Sequence, residues 1–401
     1  MTDSREYTYL YRHNKKINQV EMIYYFGVII IVTKLILSYS EIFSISPLFN
    51  NLLNLTFVFL MFLKVLCTFN LRIKKVHIIF ALFVIMTVYT SIQIDNYIIL
   101  FTALGIIALK GMNVKSIIRI SYYVKIFWLT LHFFAFIFAI FCFPNSVQYS
   151  LIDNEVRYRI FLSQPNTCAM LFLWLIFEYM YLNYEKLSFS KFLISSLFFG
   201  VIIYLTKSKT SIIVYVLLWL LIWQNKRKCI KKLIGFFSKY GYIILSAFFA
   251  FVTVNYNNLS FSRILNTFLT GRLAGAAKTY STNGFTLLGQ YLELGKKIEW
   301  DPIYRVNSIW LENSYSMMFL NFGIVYAILI AIALWYASDY LTHKDKIFVC
   351  AMLIYGISES YIVNIFLCFP LLIVASAIYN KREYLKKNYN IDEARKGECY
   401  G

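Results

Sequence analysis

The chain alternates apolar runs of membrane-crossing length with short clusters of lysine and arginine, and few folds satisfy that alternation. A hydrocarbon core about 30 Å thick takes roughly 17 to 25 apolar residues as a helix. Candidate spans are 22–40, 48–69, 76–92, 97–109, 121–143, 166–183, 192–206, 211–223, 241–254, 312–337, 347–363 and 365–379, twelve in all. Charge tests the count, because cytoplasmic connections retain lysine and arginine. Alternate connections do carry them: Arg12, Lys15 and Lys16; Arg72, Lys74 and Lys75; Lys110, Lys115 and Arg119; Lys186 and Lys191; Lys226, Arg227, Lys228, Lys231 and Lys232; Lys344 and Lys346; Lys381, Arg382, Lys386 and Lys387. Both termini then fall in the cytoplasm. Segments 97–109 and 211–223 are short for full spans, but their flanking charges require each to cross. As a single helix 347–379 would be about 50 Å long, yet basic residues at both ends demand an even number of crossings. A hairpin that breaks in "GISESYIVN" (356–364) resolves this and puts Glu359 near the outer face.

Composition agrees. With 60% hydrophobic, 19% aromatic and 15% charged residues, the chain exceeds what a soluble domain buries. A net charge of +19 raises nucleic acid as a partner, but the placement of the cations assigns them to the positive-inside pattern instead. The seven cysteines have no ligand-like spacing and most lie in apolar runs, where they read as small core residues; no cofactor is expected. The long polar N-terminus has no small-residue cleavage site after the first apolar run, so no removable signal peptide is expected. The expected fold is an all-α integral membrane protein: a bundle of about nine helices over 1–254, a large external loop over 255–311, C-terminal helices over 312–379, and a cytoplasmic tail over 380–401.

Two outward connections are long, 144–165 and 255–311, and external chemistry is to be sought there. They hold Arg157, Arg159, Arg263, Arg272, Lys278, Lys296, Lys297 and Arg305, joined by Lys207 and Lys209 in a short turn, ten cations on the side where cations are scarce. A long loop translocates regardless of charge; taken together, the ten favour an anion site for phosphate or pyrophosphate. "LTGRLAGAAKTYSTNG" (269–284) reads as a helix starting near Thr270, which caps it, and ending at Asn283-Gly284, with Arg272 in the first turn. "RYRIFLSQPNTCAM" (157–170) places two arginines before a Pro-Asn helix start, and "LTKSKTSII" (205–213) puts two lysines at a second outer mouth; snorkelling at the interface is the competing reading for both. The loop 284–297 misses a phosphate-loop spacing and is rejected as one. None of the four histidines lies in an outer loop, which leaves carboxylates for proton transfer.

Among those, Glu312 in "SIWLENSYSMMFLNFGIVYA" (308–327) stands at a helix mouth, with Asn313 and Tyr315 as orienting neighbours. It is either a base for a hydroxyl or a carboxylate stabilising the helix dipole. Asn321 lies deeper and has no evident partner. Trp300 and Trp310 stack sugars or anchor at the interface. Within the spans, Lys125 is expected to snorkel inward, while Lys34 and Lys64 are expected to face the bundle interior or a water-filled cavity.

These stretches resemble, in order, the O-antigen polymerase and ligase family, specifically its Wzy-type polymerases of the GT-C-like polytopic kind. "RYRIFLSQPNTCAM" is similar to the family's arginine followed by Pro-Asn; "LTKSKTSII" to its Ser-Arg-Thr turn; "TGRLAGAAKTYSTNGFTLLG" to its Gly-Arg stretch; "ENSYSMMFLNFGIVYAILI" to its acid or histidine followed by Asn-x-Tyr. The resemblance covers 157–330. It implies an inverting, metal-independent transfer of undecaprenyl-pyrophosphate-linked oligosaccharide outside the membrane, with membrane lipid, a flippase and a chain-length regulator as partners. Arg159 and Arg272 would hold the pyrophosphate and Glu312 would accept the acceptor's proton; Arg157, Lys207, Lys209, Asn313, Tyr315 and Arg305 would contact substrate. Lys209 stands where the family often has arginine, and Glu312 where the ligase branch has histidine, which favours a polymerase of capsule, exopolysaccharide or O-antigen.

A lipid-linked oligosaccharide flippase is the rival reading. Such transporters break corresponding helices of two repeats around a midplane site. Of the five prolines only Pro370 falls inside a span, and no internal repeat is evident. A membrane scaffold would leave the outer cations and Glu312 without a shared purpose.

Overall fold

The computed structural model describes residues 3–68, 75–152 and 155–379, with side chains described outside 3–18, 75–82, 152 and 226. Arg72, Lys74, Asp153, the basic group at 381–387 and the tail 380–401 lie outside the described residues, as do the side chains of Arg12, Lys15, Lys16, Lys75 and Lys226. In chain order the elements are α1 (Asp3–Ser38), α2 (Pro47–Thr68), α3 (Lys75–Gln93), α4 (Ile98–Ala108), α5 (Val114–Cys142), β1 (Tyr149–Ile152), β2 (Glu155–Tyr158), α6 (Pro165–Leu182), α7 (Phe189–Thr206) and α8 (Lys209–Trp223). There follow α9 (Lys228–Val254), α10 (Ser260–Phe268), α11 (Arg272–Asn283), β3 (Lys297–Asp301), β4 (Val306–Ser308), α12 (Ser314–Met317), α13 (Ile324–Ala337), α14 (His343–Tyr355) and α15 (Pro370–Tyr379). The chain is mostly helical, and each of the twelve apolar windows contains a helix.

Five helical segments are long and apolar enough to cross a membrane: Gln19–Ser38, Pro47–Thr68, Val114–Cys142, Phe189–Thr206 and Lys228–Val254. Five more apolar helices are shorter, including α4, α8, α13 and α15. Two compact units emerge from the packing: 1–78 with 104–211, and 79–103 with 212–401. The domain boundary expected at 254 falls inside the second of these.

In the first unit α1 packs on α2 and α5, and α6 lies against α5 and α7. Almost every side chain of α6 is buried, as expected for a helix that is apolar on all sides. Its one acid, Glu178, is fully buried and accepts from Lys125 Nζ at 2.6 Å and from Ser121 Oγ at 3.0 Å. Lys125 therefore does not snorkel inward: a carboxylate on the neighbouring helix holds it in the interior. Lys64 does face the interior, as expected, and donates to the carbonyl of Lys110 just beyond the end of α4.

The second unit is organised on α9, which contacts α11, α12, α13 and α14. Its other main feature is interrupted helices. The window 312–337 is not one helix: α12 passes into a five-residue π turn, Met318–Phe322, and Gly323 at φ 95° separates it from α13. The segment 286–290 runs alongside this break. Thr286 and Leu287 carbonyls accept from Ile324 N and Val325 N at 2.9 and 3.1 Å, and Gln290 N donates to the Asn321 carbonyl at 3.0 Å. Asn321, without a partner in the sequence reading, also donates its side-chain amide to the Gln290 carbonyl. Gly289 and Gly323 make the approach possible, since a Cβ on Gly323 would lie 2.4 Å from Gly289 N and one on Gly289 would lie 2.7 Å from the Asn321 carbonyl. Backbone groups freed by a break in a buried helix need partners, and 286–290 supplies them. The one break the sequence predicts, in 356–364, is present. Helix α14 stops at Tyr355 and α15 starts at Pro370, with Asn364 Oδ1 accepting from Phe366 N and Thr102 Oγ1 donating to the Val363 carbonyl between them.

Removing one partner of the buried Lys125–Glu178 pair leaves an uncompensated charge, which costs about 3–5 kcal/mol. Lys125→Met is expected to lower the thermal midpoint in detergent sharply, and Lys125→Met with Glu178→Met together to restore most of it. Additive losses in the double variant would rule out the pair as a coupled unit.

Candidate active site

In the second unit the candidate cation and the candidate base are in direct contact. Helix α11 starts two residues later than expected. Thr270 and Gly271 both adopt left-handed backbone, at φ 52° and 86°, so Thr270 does not cap; Asn266 Oδ1 instead accepts from Ala274 N at 2.9 Å. The helix ends where expected, with Gly284 at φ 67° as its C-cap. Arg272, in the first turn, is 7% exposed. Its Nε donates to Glu312 Oε2 at 2.6 Å and its Nη2 to Glu359 Oε1 at 3.1 Å. Nη1 makes no hydrogen bond among the described residues. Burial pulls the guanidinium pKa down, but Glu359 and Glu312 outweigh it, and the net direction is upward.

Three segments converge to build this triad. Along α11, Gly275 admits the backbone of Trp310; a Cβ there would sit 2.8 Å from the Trp310 carbonyl. Ala276, Leu292, Leu311 and Leu320 form a small buried core beneath, with Tyr280, Phe285 and Met317 packed on it. Leu311 in that core fixes the residue before Glu312. The third segment, 356–359, is tied to the start of α12: Ser314 N donates to the Gly356 carbonyl at 2.9 Å, Asn313 Nδ2 to the Ile357 carbonyl at 2.5 Å, and Ser314 Oγ to the Glu359 carbonyl. Glu359 was expected near the outer face without a role. It is 4% exposed and is the second carboxylate on Arg272.

The neighbours proposed to orient Glu312 act differently from expectation. Asn313 caps α12, with Oδ1 accepting from Ser316 N at 2.9 Å, so it orients Glu312 only through the backbone. Tyr315 is fully buried, stacked on Phe249 and bonded through its hydroxyl to the Leu353 carbonyl; it belongs to the core and presents nothing to a substrate.

Arg305 stands exposed in the left-handed turn of the β3–β4 hairpin, at φ 57°. Beside it, Lys278 pairs with Asp301 at 2.8 Å, and that hydrogen bond first of all holds the Asp301 pKa below its ordinary value. A cleft of about 550 Å³ borders α12 through Met317 and the π turn through Asn321, with Asp95, Asn96, Tyr291 and Glu293 also on its wall.

The remaining candidates belong to the first unit. Arg159 lies just past the β1–β2 hairpin, donating from Nη1 to Glu41 at 3.1 Å and from Nε to Ser150 at 2.9 Å. The chain then makes a left-handed turn at Ile160 and Phe161, φ 52° and 56°, a conformation rare for a β-branched residue. Phe161 O accepts from Glu41 N and Ser163 N reaches the Tyr39 carbonyl, which fixes the turn. Arg157 lies 3.7 Å from Glu155. Helix α6 does start at Pro165. Lys207, at φ 53°, ends α7 with its ammonium over the Tyr204 ring at 4.2 Å, while Lys209 is exposed at the start of α8. Five of the ten cations expected to face outward, Arg157, Arg159, Arg272, Lys278 and Lys296, are paired with carboxylates rather than standing free for an anion. The described residues contain no cluster of histidine, cysteine and acid suited to a metal.

No protein-family model, no characterised protein and no solved structure matches the chain.

Closing the gap at Gly275 tests the assembly. Gly275→Ala is expected to cost about 1–3 kcal/mol, the range for overpacking, read as a lower thermal midpoint in detergent. An unchanged midpoint would mean that α11 does not rely on this backbone contact.

Proposed function

We propose that the protein is a polysaccharide polymerase of the outer membrane face, moving a lipid-pyrophosphate-linked oligosaccharide onto a hydroxyl of a second lipid-linked repeat unit. In this reading the twelve helical windows all cross and both termini are cytoplasmic. The observation that carries it is the contact of Arg272 with Glu312, residues forty positions apart that the resemblance assigns to leaving-group binding and to base catalysis.

The chemistry requires little else. The acceptor oxygen attacks the anomeric carbon from the face opposite the pyrophosphate, the bond from that carbon to the pyrophosphate oxygen breaks, and the configuration inverts. Glu312 takes the hydroxyl proton. Arg272 stabilises charge developing on the departing oxygen, through Nη1 and through donors released from carboxylates. The bond to pyrophosphate supplies the driving force. The cleft along α12, walled by carboxylate, amide and aromatic groups, suits an acceptor sugar, whose hydroxyls bond to the first two and whose C–H face packs on the ring. Arg159, paired with Glu41 in the first unit, is the other arginine that the resemblance assigns to pyrophosphate.

Incubation of the purified protein with lipid-pyrophosphate repeat units, without nucleotide sugar, is expected to give a ladder of glycan lengths. Glu312→Gln is expected to reduce chain growth by about 10²-fold or more, the scale of a lost general base, and Arg272→Ala to abolish it. Full ladders from both variants would sink the assignment. Transbilayer movement of the repeat unit in vesicles, with no polymer formed, would support the flippase instead.

A further inference from the structure

Helix α10 (Ser260–Phe268) is amphipathic in the wrong direction for a helix facing water. Two of its polar side chains turn into the protein: Ser262 is fully buried and bonds to the Tyr256 and Leu259 carbonyls at 2.5 and 2.7 Å, and Asn266 reaches across to cap α11. Ser260, Arg263 and Thr267 are exposed on a separate stripe. Its large apolar side chains turn out. Phe261, Ile264 and Phe268, at i, i+3 and i+7 on one face, are 42%, 63% and 79% exposed. Those values match the outward residues of α9, where Ile244, Phe248 and Phe251 are 46%, 40% and 56% exposed. Helix α9 is one of the five segments long and apolar enough to cross a membrane.

The connection between the two helices fixes where α10 lies. Asn258 N and Leu259 N both donate to the Asn255 carbonyl, at 3.0 and 3.2 Å, and Asn255 caps α9. This tight turn keeps the start of α10 within about one helical turn of the end of α9. At nine residues α10 is about 14 Å long, too short to span. A short helix with a strong apolar face at the end of a span lies along the interface, apolar side down. Arg263, exposed between Phe261 and Ile264 in sequence, can reach lipid phosphate.

We infer that α10 is an interfacial helix seated in the lipid of the membrane surface, with Phe261, Ile264 and Phe268 among the acyl chains. A second copy of the chain could cover such a face, but lipid is favoured because the same exposure continues from a neighbouring span. The seat also has a consequence for Arg272. Only residues 269–271 separate α10 from α11, and the Asn266 cap fastens one helix to the other. Arg272 is thereby held near headgroup depth, independently of what it binds.

The test uses the full chain in liposomes of phosphatidylglycerol and phosphatidylethanolamine, with a photoreactive p-benzoylphenylalanine in place of Phe261, Ile264 or Phe268. Phe251 serves as a lipid-facing control and Thr282, exposed on α11, as a polar one. After irradiation, mass spectrometry is expected to find phospholipid adducts at all three α10 positions at about the Phe251 yield, roughly tenfold above Thr282. Adducts at Phe251 but none at Ile264 and Phe268 would overturn the inference. Crosslinks between two copies of the chain from these positions would overturn it in favour of a protein interface.

Discussion

A guanidinium shared by two carboxylates holds together the part of the protein where chemistry is expected. Buried Arg272 is tolerable only because Glu312 and Glu359 meet it at 2.6 and 3.1 Å. Each carboxylate comes from a different segment, so satisfying one charge fixes α11, the approach to α12 and the break after α14 relative to each other. The surrounding contacts are the ones this requires. Gly275 lets Trp310 approach, Leu311 anchors the strand of chain carrying Glu312, and Ser314 and Asn313 clamp the 356–359 turn.

What the sequence made legible was where helices lie along the chain; what it hid was direction around each helix axis. Hydropathy placed a helix in each of twelve windows, and Arg272, Glu312 and Glu359, which the charge pattern expects on one side, do meet in one ion-pair triad. Lys125 shows the limit. Its charge suggested snorkelling, yet it turns toward Glu178, an acid inside the almost wholly buried α6 and absent from the sequence reading. Spacing alone cannot say that two spans present a lysine and a glutamate to one another. Tyr315 failed for the same reason: adjacent to Glu312 in sequence, it points into the core between α9 and α14.

Local backbone was legible where it rests on residue chemistry. Gly284 ends α11 and Pro165 starts α6, as turn and helix-start preferences dictate. Caps supplied from a distance were not. Thr270 looked like a cap, but its residue sits in a left-handed turn and Asn266 does the work from the preceding helix. Asn321 looked stranded until 286–290 came alongside it, a pairing between segments thirty residues apart that no periodicity announces. The apolar spacing of α10 was present in the sequence, but its meaning depends on which side faces the protein.

The charge balance changes how the external cations should be read. Ten outward lysines and arginines suggested an open anion site, yet the triad carries one positive and two negative charges, and Lys278, Lys296 and Arg159 also have carboxylate partners. Such a surface does not attract pyrophosphate by excess charge; an anion must compete for donors already in use. In the proposed reaction that competition is productive. A phosphate oxygen that takes the Arg272 Nε donor releases Glu312, the more exposed of the two carboxylates at 38% against 5%. Glu359, buried and tied through its backbone to Ser314, keeps the guanidinium in place meanwhile. Binding of the leaving group and liberation of the base then become one event, so a hydroxyl would meet an available base only when a pyrophosphate donor is already seated.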